Sequence, residues 1–341
     1  MAKHRTPLQR FLMFAAALAI VALIAVAFFA GYWYFGPYRG FGTETFVEIE
    51  HGMSSRQIAS ALERHGVVRS RWAFLFLRML NSRAPLQAGE YRFGSAQTPW
   101  QVFQEIRKGE IFYEELTIPE GSNIFDIASI LEQGDTVKSA DFLKAAADPS
   151  LIRELDPLAP NLEGYLFPST YRVTHHTTAQ QLCQAMVSEF RKQWQALGGE
   201  AHKSDIHRIV IVASLVEKET AIPQERPLVA AVFYNRLSAN MPLQCDPTTV
   251  YAALLENHYR GAIYKSDLAS TNPYNTYTHA GLPPGPIANP GLSSLKAALQ
   301  PANVSYLYFV AKPDGSGAHQ FSTTIEEHEK AVMEYRKGER H

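Results

Sequence analysis

The sequence predicts an α+β protein with an N-terminal transmembrane helix, a small α/β module and a larger mixed α+β domain. Three observations lead to this fold class. An uncharged apolar run covers Phe11 to Phe35, two similar strand–turn–helix patterns follow it, and from Ser204 onward helical patterns alternate with short strand patterns. The 341 residues are enough for two or three domains, and the 46% hydrophobic content is typical of a folded chain.

Net charge and residue spacing give no support to a nucleic-acid-binding protein or a zinc protein. With a formal net charge of −1, the chain has no excess of basic residues that would predict binding to nucleic acid. Its histidines and cysteines do not show the spacing of a zinc site, so we expect no metal. The two cysteines, Cys183 and Cys245, are expected to be buried free thiols, although an oxidising compartment would permit a disulfide.

The N-terminal segment predicts a membrane anchor. Its apolar run has 25 residues, and as a helix it is longer than the ~30 Å hydrocarbon core of a bilayer. Residues 32–34 are aromatic and lie at the far end of the run, where an interfacial aromatic belt is expected. The flank before the run carries Lys3, Arg5 and Arg10.

The basic flank also predicts the orientation, with residues 1–10 as a cytoplasmic tail and everything after Phe35 outside the cytoplasm. The alternative is a cleaved signal peptide with its processing site at residues 25–27. We favour an uncleaved anchor, since the apolar run is longer than a normal signal sequence and continues past that site. Both interpretations export the bulk of the chain.

Two stretches of the exported part resemble each other at a constant offset of 69 residues. VEIEHGMSSRQIASALERHG (47–66) and LTIPEGSNIFDIASILEQG (116–134) share an isoleucine before a glycine turn, an Ile-Ala-Ser triplet and a Leu-Glu pair. Each predicts a short strand, a turn at Gly52 or Gly121, and an amphipathic helix.

A second similarity follows each copy at an offset of 80 residues. A Tyr-Arg strand pattern at residue 91 recurs at residue 171, and Thr98 and Thr178 are then expected to cap the next helices. Residues 116–197 therefore look like a repeat of residues 47–112. Duplication is the favoured origin, and convergent use of a common motif is the alternative.

The proline-rich segment DPLAPNLEGYLFPSTYRV, residues 156–173, interrupts the second copy. It places Glu163 next to a glycine and near Tyr165, Phe167 and Tyr171. Because aromatic faces stack on sugar rings, Glu163 is a candidate for a sugar-binding carboxylate. The alternative is a surface loop with a charged tip.

The segment SLVEKETAIP ends a second apolar stretch of the chain. Residues 209–216 are apolar except for Ser214, which predicts a helix buried on nearly all sides, capped at Ser204 and stopped by Pro223. On such a helix Glu217 and Glu219 point about 200° apart, so they cannot act as a facing acid–base pair. Either could be a desolvated general acid, and either could be a structural carboxylate, so periodicity leaves the choice open.

The C-terminal third predicts a long irregular segment and a small closing unit. Residues 271–291 are rich in proline, glycine and asparagine, and loops of this length are usually functional. A helix over 292–299, a hairpin around Asp314-Gly315 and a closing helix follow.

Five motifs follow one another between Ala213 and Ala311: ASLVEKETAIPQER, VFYNRL, LQCDPTTVY, YNTYTHAGLPPGPIANPG and YLYFVA. Together with TIPEG, EGYLFPSTY and the N-terminal anchor, they resemble the MltG (YceG-like) family of membrane-anchored endolytic murein transglycosylases over nearly the whole chain. The resemblance implies a single inner-membrane helix, a LysM-like module at 43–112 and a periplasmic catalytic domain at 113–341, with a core at about 204–338.

The resemblance also implies a reaction. Members of this family cleave glycan strands of peptidoglycan between N-acetylmuramic acid and N-acetylglucosamine, and leave a 1,6-anhydro-muramyl end. The family's catalytic glutamate falls on Glu219. One carboxyl group suffices, because the substrate's own C6 hydroxyl attacks where other glycosidases need a second carboxylate, and no cofactor is implied.

Motif position further implies a set of groove residues. Cys245 stands where relatives often carry another small residue. The expected substrate-binding residues are Gln244, Asp246, Asn275 and Tyr277, with Glu163 as a further candidate.

Two other functions remain open at this point. A non-catalytic scaffold could bind peptidoglycan and recruit cell-wall synthases, and a hydrolytic muramidase would need a second carboxylate across the cleft. The expected partners are glycan strands, the inner membrane and penicillin-binding synthases, and the expected role is to limit the length of nascent strands.

Overall fold

A computed structural model describes residues 7–134 and 136–338 of the chain. The chain divides into two compact units, Met1–Glu114 and Glu115–His341. Both contain helices and short strands, which confirms the predicted mixed α+β class. Most of the predicted cytoplasmic tail, residues 1–6, lies outside the described residues, as do residues 339–341.

The first unit contains one long helix and a small α/β module. Its helices are α1 (Pro7–Phe35), α2 (Ser55–Arg64), α3 (Arg71–Leu80) and α4 (Pro99–Lys108). Strands β1 (Thr45–Ile49) and β2 (Gly89–Phe93) pair in antiparallel fashion with Thr45 opposite Phe93. Within α1, the stretch Phe11–Phe35 has a mean hydropathy of 2.9 and is long enough to cross a membrane.

The second unit has a helical core with two small sheets. Its strands are β3 (Glu114–Thr117) paired with β4 (Thr170–Val173), and β5 (Tyr308–Ala311) paired with β6 (His319–Ser322). Its helices are α5 (Ile124–Gln133), α6 (Ser139–Ala146), α7 (Ala179–Ala196), α8 (Ile206–Glu219), α9 (Arg226–Ser238), α10 (Asp246–Leu255), α11 (Lys265–Leu268), α12 (Leu292–Leu299) and α13 (Ile325–Gly338). Short 3₁₀ helices span Pro149–Leu151 and Gly199–Asp205.

The two similar sequence stretches form the same elements in the same order. Helix α5 begins and ends 69 residues after α2, and α7 begins 80 residues after α4, as the alignment predicts. The glycines of the two predicted turns, Gly52 and Gly121, have φ angles of 86° and 75°, a left-handed conformation that favours glycine.

The helix caps of the two copies correspond as well. Thr98 and Thr178 each form a capping box with the glutamine three residues later, which confirms both predicted caps. Capping boxes also begin α2, through Ser54 and Gln57, and α5, through Asn123 and Asp126. The element order therefore matches the predicted repeat, while the LysM-like assignment of the first copy stays a prediction.

Helix α8 is the centre of the second unit. Every residue from Ile209 to Val216 is buried, as predicted, and the helix packs against α9, α10 and α12. The one polar residue between Ile209 and Val216, Ser214, donates to the carbonyl of Ile211 at 2.7 Å and accepts from the N–H of Ile287 at 3.1 Å. Ser214 thereby ties the long irregular segment to the helix.

One detail of α8 differs from the prediction. Ser204 does not cap the helix, because residues 199–205 already form a 3₁₀ helix that leads directly into it. The N-cap position is Asp205, whose side chain makes no capping hydrogen bond. The other predicted elements of this unit, helix 292–299, the hairpin and the closing helix, are present as α12, β5–β6 and α13.

Candidate active site

A polar pocket of about 320 Å³ opens beside the C-terminal end of α8. Glu219, the last residue of α8, lines it together with residues of the loop before α10 and the first residue of that helix. The polar lining comprises Glu219, Arg236, Gln244, Cys245, Asp246, Tyr277 and His328, and the apolar lining Val232, Phe233, Leu243 and Phe309. The structure therefore brings four of the predicted site residues together: Glu219, Gln244, Asp246 and Tyr277.

The carboxyl group of Glu219 has a protonation equilibrium suited to a general acid. Burial raises its pKa above the ordinary value; a hydrogen bond from Cys245 lowers it, and the nearby charge of Asp246 raises it. The negative end of the α8 dipole also disfavours a carboxylate at this position. The result is a carboxyl group that holds its proton to a higher pH than a solvated glutamate does.

Cys245 makes the closest contact to this carboxyl group. Its Sγ donates to Oε1 of Glu219 at 3.0 Å, and the side chain is buried. Burial and the charge of Glu219 raise the pKa of the thiol well above its ordinary value, so the group stays a donor. Both cysteines are free and buried, as predicted.

Asp246 and Tyr277 form a second polar pair in the pocket. The Tyr277 hydroxyl donates to Oδ1 of Asp246 at 2.6 Å. Gln244, two residues before Asp246, has a φ of 51°, an uncommon conformation for a residue with a side chain. This conformation turns the chain immediately before α10 so that Cys245 and Asp246 both reach the pocket.

Arg236 is a pocket residue that sequence reasoning did not select. Its side chain is held by the carbonyls of Leu307 and Leu243, at 2.7 and 2.8 Å, and its guanidinium lies over the ring of Tyr308. Its charge lowers the pKa of Glu219, after the larger effects of burial, Cys245, Asp246 and His319. Arg236 lies in the motif VFYNRL and has no acidic neighbour in sequence. That absence of a local ion-pair partner was the one sequence feature that could have indicated a role at the site.

Glu217 faces another part of the unit, and the structure explains its role. Its Oε1 accepts from Arg226 at 2.9 Å and its Oε2 from the N–H of Gly291 at 2.9 Å. Both side chains of this ion pair are almost fully buried. Glu217 is therefore a structural carboxylate that connects α8, α9 and the end of the long irregular segment.

Glu163 lies in the core and does not line the pocket, while its role in binding substrate stays a prediction. Only 1% of its surface is exposed. Its oxygens accept from the N–H of Ile124 at 2.9 Å, from Tyr251 at 3.0 Å and from Asn289 at 2.8 Å. Burial raises its pKa to about 8, against the hydrogen bonds from Ile124 and Tyr251, which lower it. The neighbours of Glu163 in this segment, residues 162–168, are buried as well.

Asn275 also lies outside the lining of the pocket. It is fully buried, and its amide nitrogen donates to the carbonyls of Asp267, Leu268 and Ser270 at 3.3, 3.1 and 2.8 Å. Its amide oxygen accepts from the N–H of Tyr277 at 3.1 Å. Asn275 shapes the loop that presents Tyr277, and it does not line the pocket itself.

The donor set of the pocket does not resemble a metal site. Within residues 7–134 and 136–338, no three His, Cys, Asp or Glu side chains are grouped so that they could hold a metal ion.

Comparison with known proteins gives consistent results. The profile of the YceG-like family matches residues 47–334. A protein of Bacillus subtilis (strain 168) named endolytic murein transglycosylase is 34% identical over 307 residues, which cover 85% of this chain and 84% of that protein. Its namesake in Streptococcus pneumoniae (strain D39) is 30% identical over 319 residues, or 85% of this chain and 58% of that longer protein.

A solved structure extends this similarity to the fold. The crystal structure of a YceG-like protein from Listeria monocytogenes matches with a TM-score of 0.56 at 35% identity, over 84% of this chain and 98% of that one. Fold and pocket define a mixed α+β protein with one partly buried carboxyl group at the end of a core helix. The chain belongs to the YceG-like family.

Proposed function

We propose that this protein is an endolytic murein transglycosylase. It cleaves peptidoglycan strands internally, between N-acetylmuramic acid and N-acetylglucosamine, and leaves 1,6-anhydro-N-acetylmuramic acid ends. Two relatives that share 34% and 30% of their aligned residues with it carry this name. The observation that carries the proposal is the carboxyl group of Glu219, which opens to a polar pocket and has a raised pKa.

The chemistry needs one group that first donates a proton and then accepts one. Protonated Glu219 donates to the glycosidic oxygen while the bond from that oxygen to C1 of the muramyl residue breaks. The resulting carboxylate then accepts the proton of the C6 hydroxyl as O6 bonds to C1. No water is consumed, and Glu219 ends in its starting protonation state.

The pocket supplies groups that assist both steps. The thiol of Cys245 donates to Oε1 of Glu219, so the proton that is transferred resides on Oε2. The carboxylate of Asp246 lies in the same pocket, where it stabilises positive charge that develops at C1 in an oxocarbenium-like transition state. The attack within one sugar residue has the advantage of proximity.

The same carboxylate gives a second candidate function some support. A hydrolytic muramidase uses two carboxyl groups, and Asp246 could activate water or act as a nucleophile. The two functions differ in their products, since hydrolysis adds one water molecule to the muramyl end. We favour transglycosylation, because the named relatives are transglycosylases.

The N-terminal helix would determine where this activity takes place. The stretch Phe11–Phe35 would hold the protein in the inner membrane with the pocket on the periplasmic side. There the enzyme would act on nascent strands beside penicillin-binding synthases and limit the length of those strands. The module at residues 43–112 is proposed to be LysM-like.

The assignment of Glu219 is tested by a pair of substitutions at neighbouring glutamates. Glu219→Gln removes the transferable proton and is expected to lower the turnover of purified glycan strands by about 10²- to 10⁴-fold. Glu217→Gln is the matched control, and the activity of its folded fraction should stay near that of the wild type. Full activity in Glu219→Gln would contradict the assignment.

A further inference from the structure

Helix α3 of the first unit carries an exposed apolar stripe. The four residues of this stripe lie at helical spacing and are large: Trp72 (64% exposed), Phe76 (46%), Met79 (65%) and Leu80 (63%). We call them the α3 outer face. Single exposed hydrophobic residues are ordinary on a protein surface, whereas a continuous stripe of this kind marks an interaction site.

The stripe is not the side of α3 that builds the core. Phe74 on the opposite side is fully buried, and its ring packs against Phe103 of α4 at 5.7 Å between centroids. The helix RWAFLFLRML is thus apolar on both sides, a pattern expected of a helix that is covered all round. Within the described residues, only its inner side is covered by the core.

The outer face is continuous with the end of the predicted membrane helix. The ring of Phe76 contacts the ring of Phe35, the last residue of α1, at 5.8 Å between centroids. Arg69 lies two residues before α3, and its guanidinium is 3.9 Å from the ring centre of Trp33, which also belongs to α1. Both contacts join α3 to the aromatic end of α1, the part expected at the lipid–water boundary.

The connection between α1 and the module is short and fixed. Residues 36–44 could span at most about 30 Å when fully extended. They are held back by hydrogen bonds between the backbones of Tyr38 and Gln97, and by one from Gly40 to Gly66 at 2.8 Å. A side chain at Gly66 would meet the backbone of Gly40 at 2.7 Å, so the glycine permits this close contact. The module therefore cannot move far from the end of α1.

We propose that the α3 outer face docks on the lipid surface into which α1 inserts, with the stripe at the level of the headgroups and upper acyl chains. The chemistry of the stripe fits this environment, because tryptophan is favoured at the interface while phenylalanine, methionine and leucine enter the acyl region. Exposed Arg71, the first residue of α3, and exposed Arg83, three residues after its end, lie near the two ends of the helix, where they can meet anionic headgroups. The proposal goes beyond the glycan-cleaving activity and rests on α1 being a membrane anchor.

A protein partner is the other conceivable cover for this face. The contacts to Phe35 and Trp33 favour lipid, since any occupant of the face at this position would lie at the membrane boundary. The two covers differ in one property: only lipid would bring membrane-borne quenchers into contact with the stripe.

The test uses the full chain reconstituted in nanodiscs that contain anionic lipid. An environment-sensitive fluorophore is attached through Met79→Cys and, as the matched control, through Lys108→Cys at the exposed end of α4, which packs on the inner side of α3. The two native thiols are buried and stay unlabelled. Fluorescence is then quenched either by lipids with a nitroxide near the headgroup or by iodide in the water.

The expected result is strong quenching of the label at position 79 by the lipid nitroxide and protection from iodide, with the opposite pattern at position 108. Equal quenching of both labels by iodide, with none by the lipid, would overturn the docking proposal. Protection from both quenchers at position 79 would overturn it as well, since a protein would then cover the face. Failure of the chain to enter nanodiscs would overturn the anchor and the docking together, without touching the assignment of Glu219.

Discussion

The thiol of Cys245 donates a hydrogen bond to Oε1 of Glu219 at 3.0 Å. The donor comes from the residue before α10 and the acceptor from the last residue of α8, so the contact joins two helices at the pocket. Because Oε1 is occupied by this donor, the proton of the carboxyl group is directed to Oε2. The contact therefore fixes both the orientation of Glu219 and the oxygen that reacts.

Removal of the thiol should change both the rate and the pH dependence of catalysis. Cys245→Ala is expected to lower kcat by about tenfold, since a hydrogen bond to a charged group contributes about 1.5 kcal/mol. The hydrogen bond lowers the pKa of Glu219, so its loss raises that pKa. Activity that requires the protonated form should then persist to higher pH, which a pH profile of kcat/KM measures.

Cys245→Ser serves as the control, because a hydroxyl retains the donor in nearly the same place. Its rate and profile should lie close to those of the wild type. If the alanine and serine variants behaved alike, the hydrogen bond would have no role in catalysis.

Asp246→Asn should shift the same profile in the opposite direction. The charge of Asp246 raises the pKa of Glu219, so its neutralisation lowers that pKa and the decline in activity begins at lower pH. The fold should be retained, as the amide oxygen can still accept from Tyr277. We also expect kcat to fall by about 10²-fold through loss of charge stabilisation in the transition state. An unchanged profile would show that the two carboxyl groups do not interact.

Glu217→Gln should affect stability and leave catalysis nearly intact. The substitution removes the charged partner that lies 2.9 Å from the buried guanidinium of Arg226 and leaves only Glu120, at 3.9 Å, to balance its charge. Loss of one partner of a buried ion pair is expected to lower the free energy of unfolding by about 2–4 kcal/mol, which denaturant titration measures. Normal stability combined with lost activity would instead assign a catalytic role to Glu217.

Glu163→Gln should remove part of the pH dependence of stability. The pKa of Glu163 is raised from 4.5 to about 8 in the folded protein. Its contribution to stability is therefore complete below pH 4.5 and is lost as the pH rises through about 8. The wild type should lose stability over this range, whereas the glutamine variant should be less stable at low pH but show a flatter dependence. Parallel curves for the two proteins would contradict the burial of an ionisable carboxyl group here.

The sequence was sufficient for features that depend on local patterns. The apolar run of α8, the N-caps at Thr98 and Thr178, and the C-terminal hairpin all follow from spacing and turn chemistry, and all are present. Helix geometry also separated Glu217 from Glu219, but it could not say which of the two faces a pocket. That choice depends on Arg226 and Gly291, which contact Glu217 from elsewhere in the chain.

The placements that the sequence did not anticipate depend mainly on partners distant in sequence. Glu163 was expected at a loop or groove, yet Asn289, 126 residues away, and Tyr251 enclose it in the core. Asn275 was selected from its motif, while its role is to bind the carbonyls of its own loop. Arg236 was overlooked because its carbonyl partners, such as Leu307, follow it by up to 71 residues.

The mass of the cleaved ends tests the central claim most directly, when glycan strands are digested in water enriched in heavy oxygen. If Glu219 directs the attack of the C6 hydroxyl, the new muramyl ends will be anhydro species that contain no heavy oxygen. Muramyl ends heavier by one labelled water molecule would contradict the account and indicate hydrolysis with Asp246 as the second carboxylate.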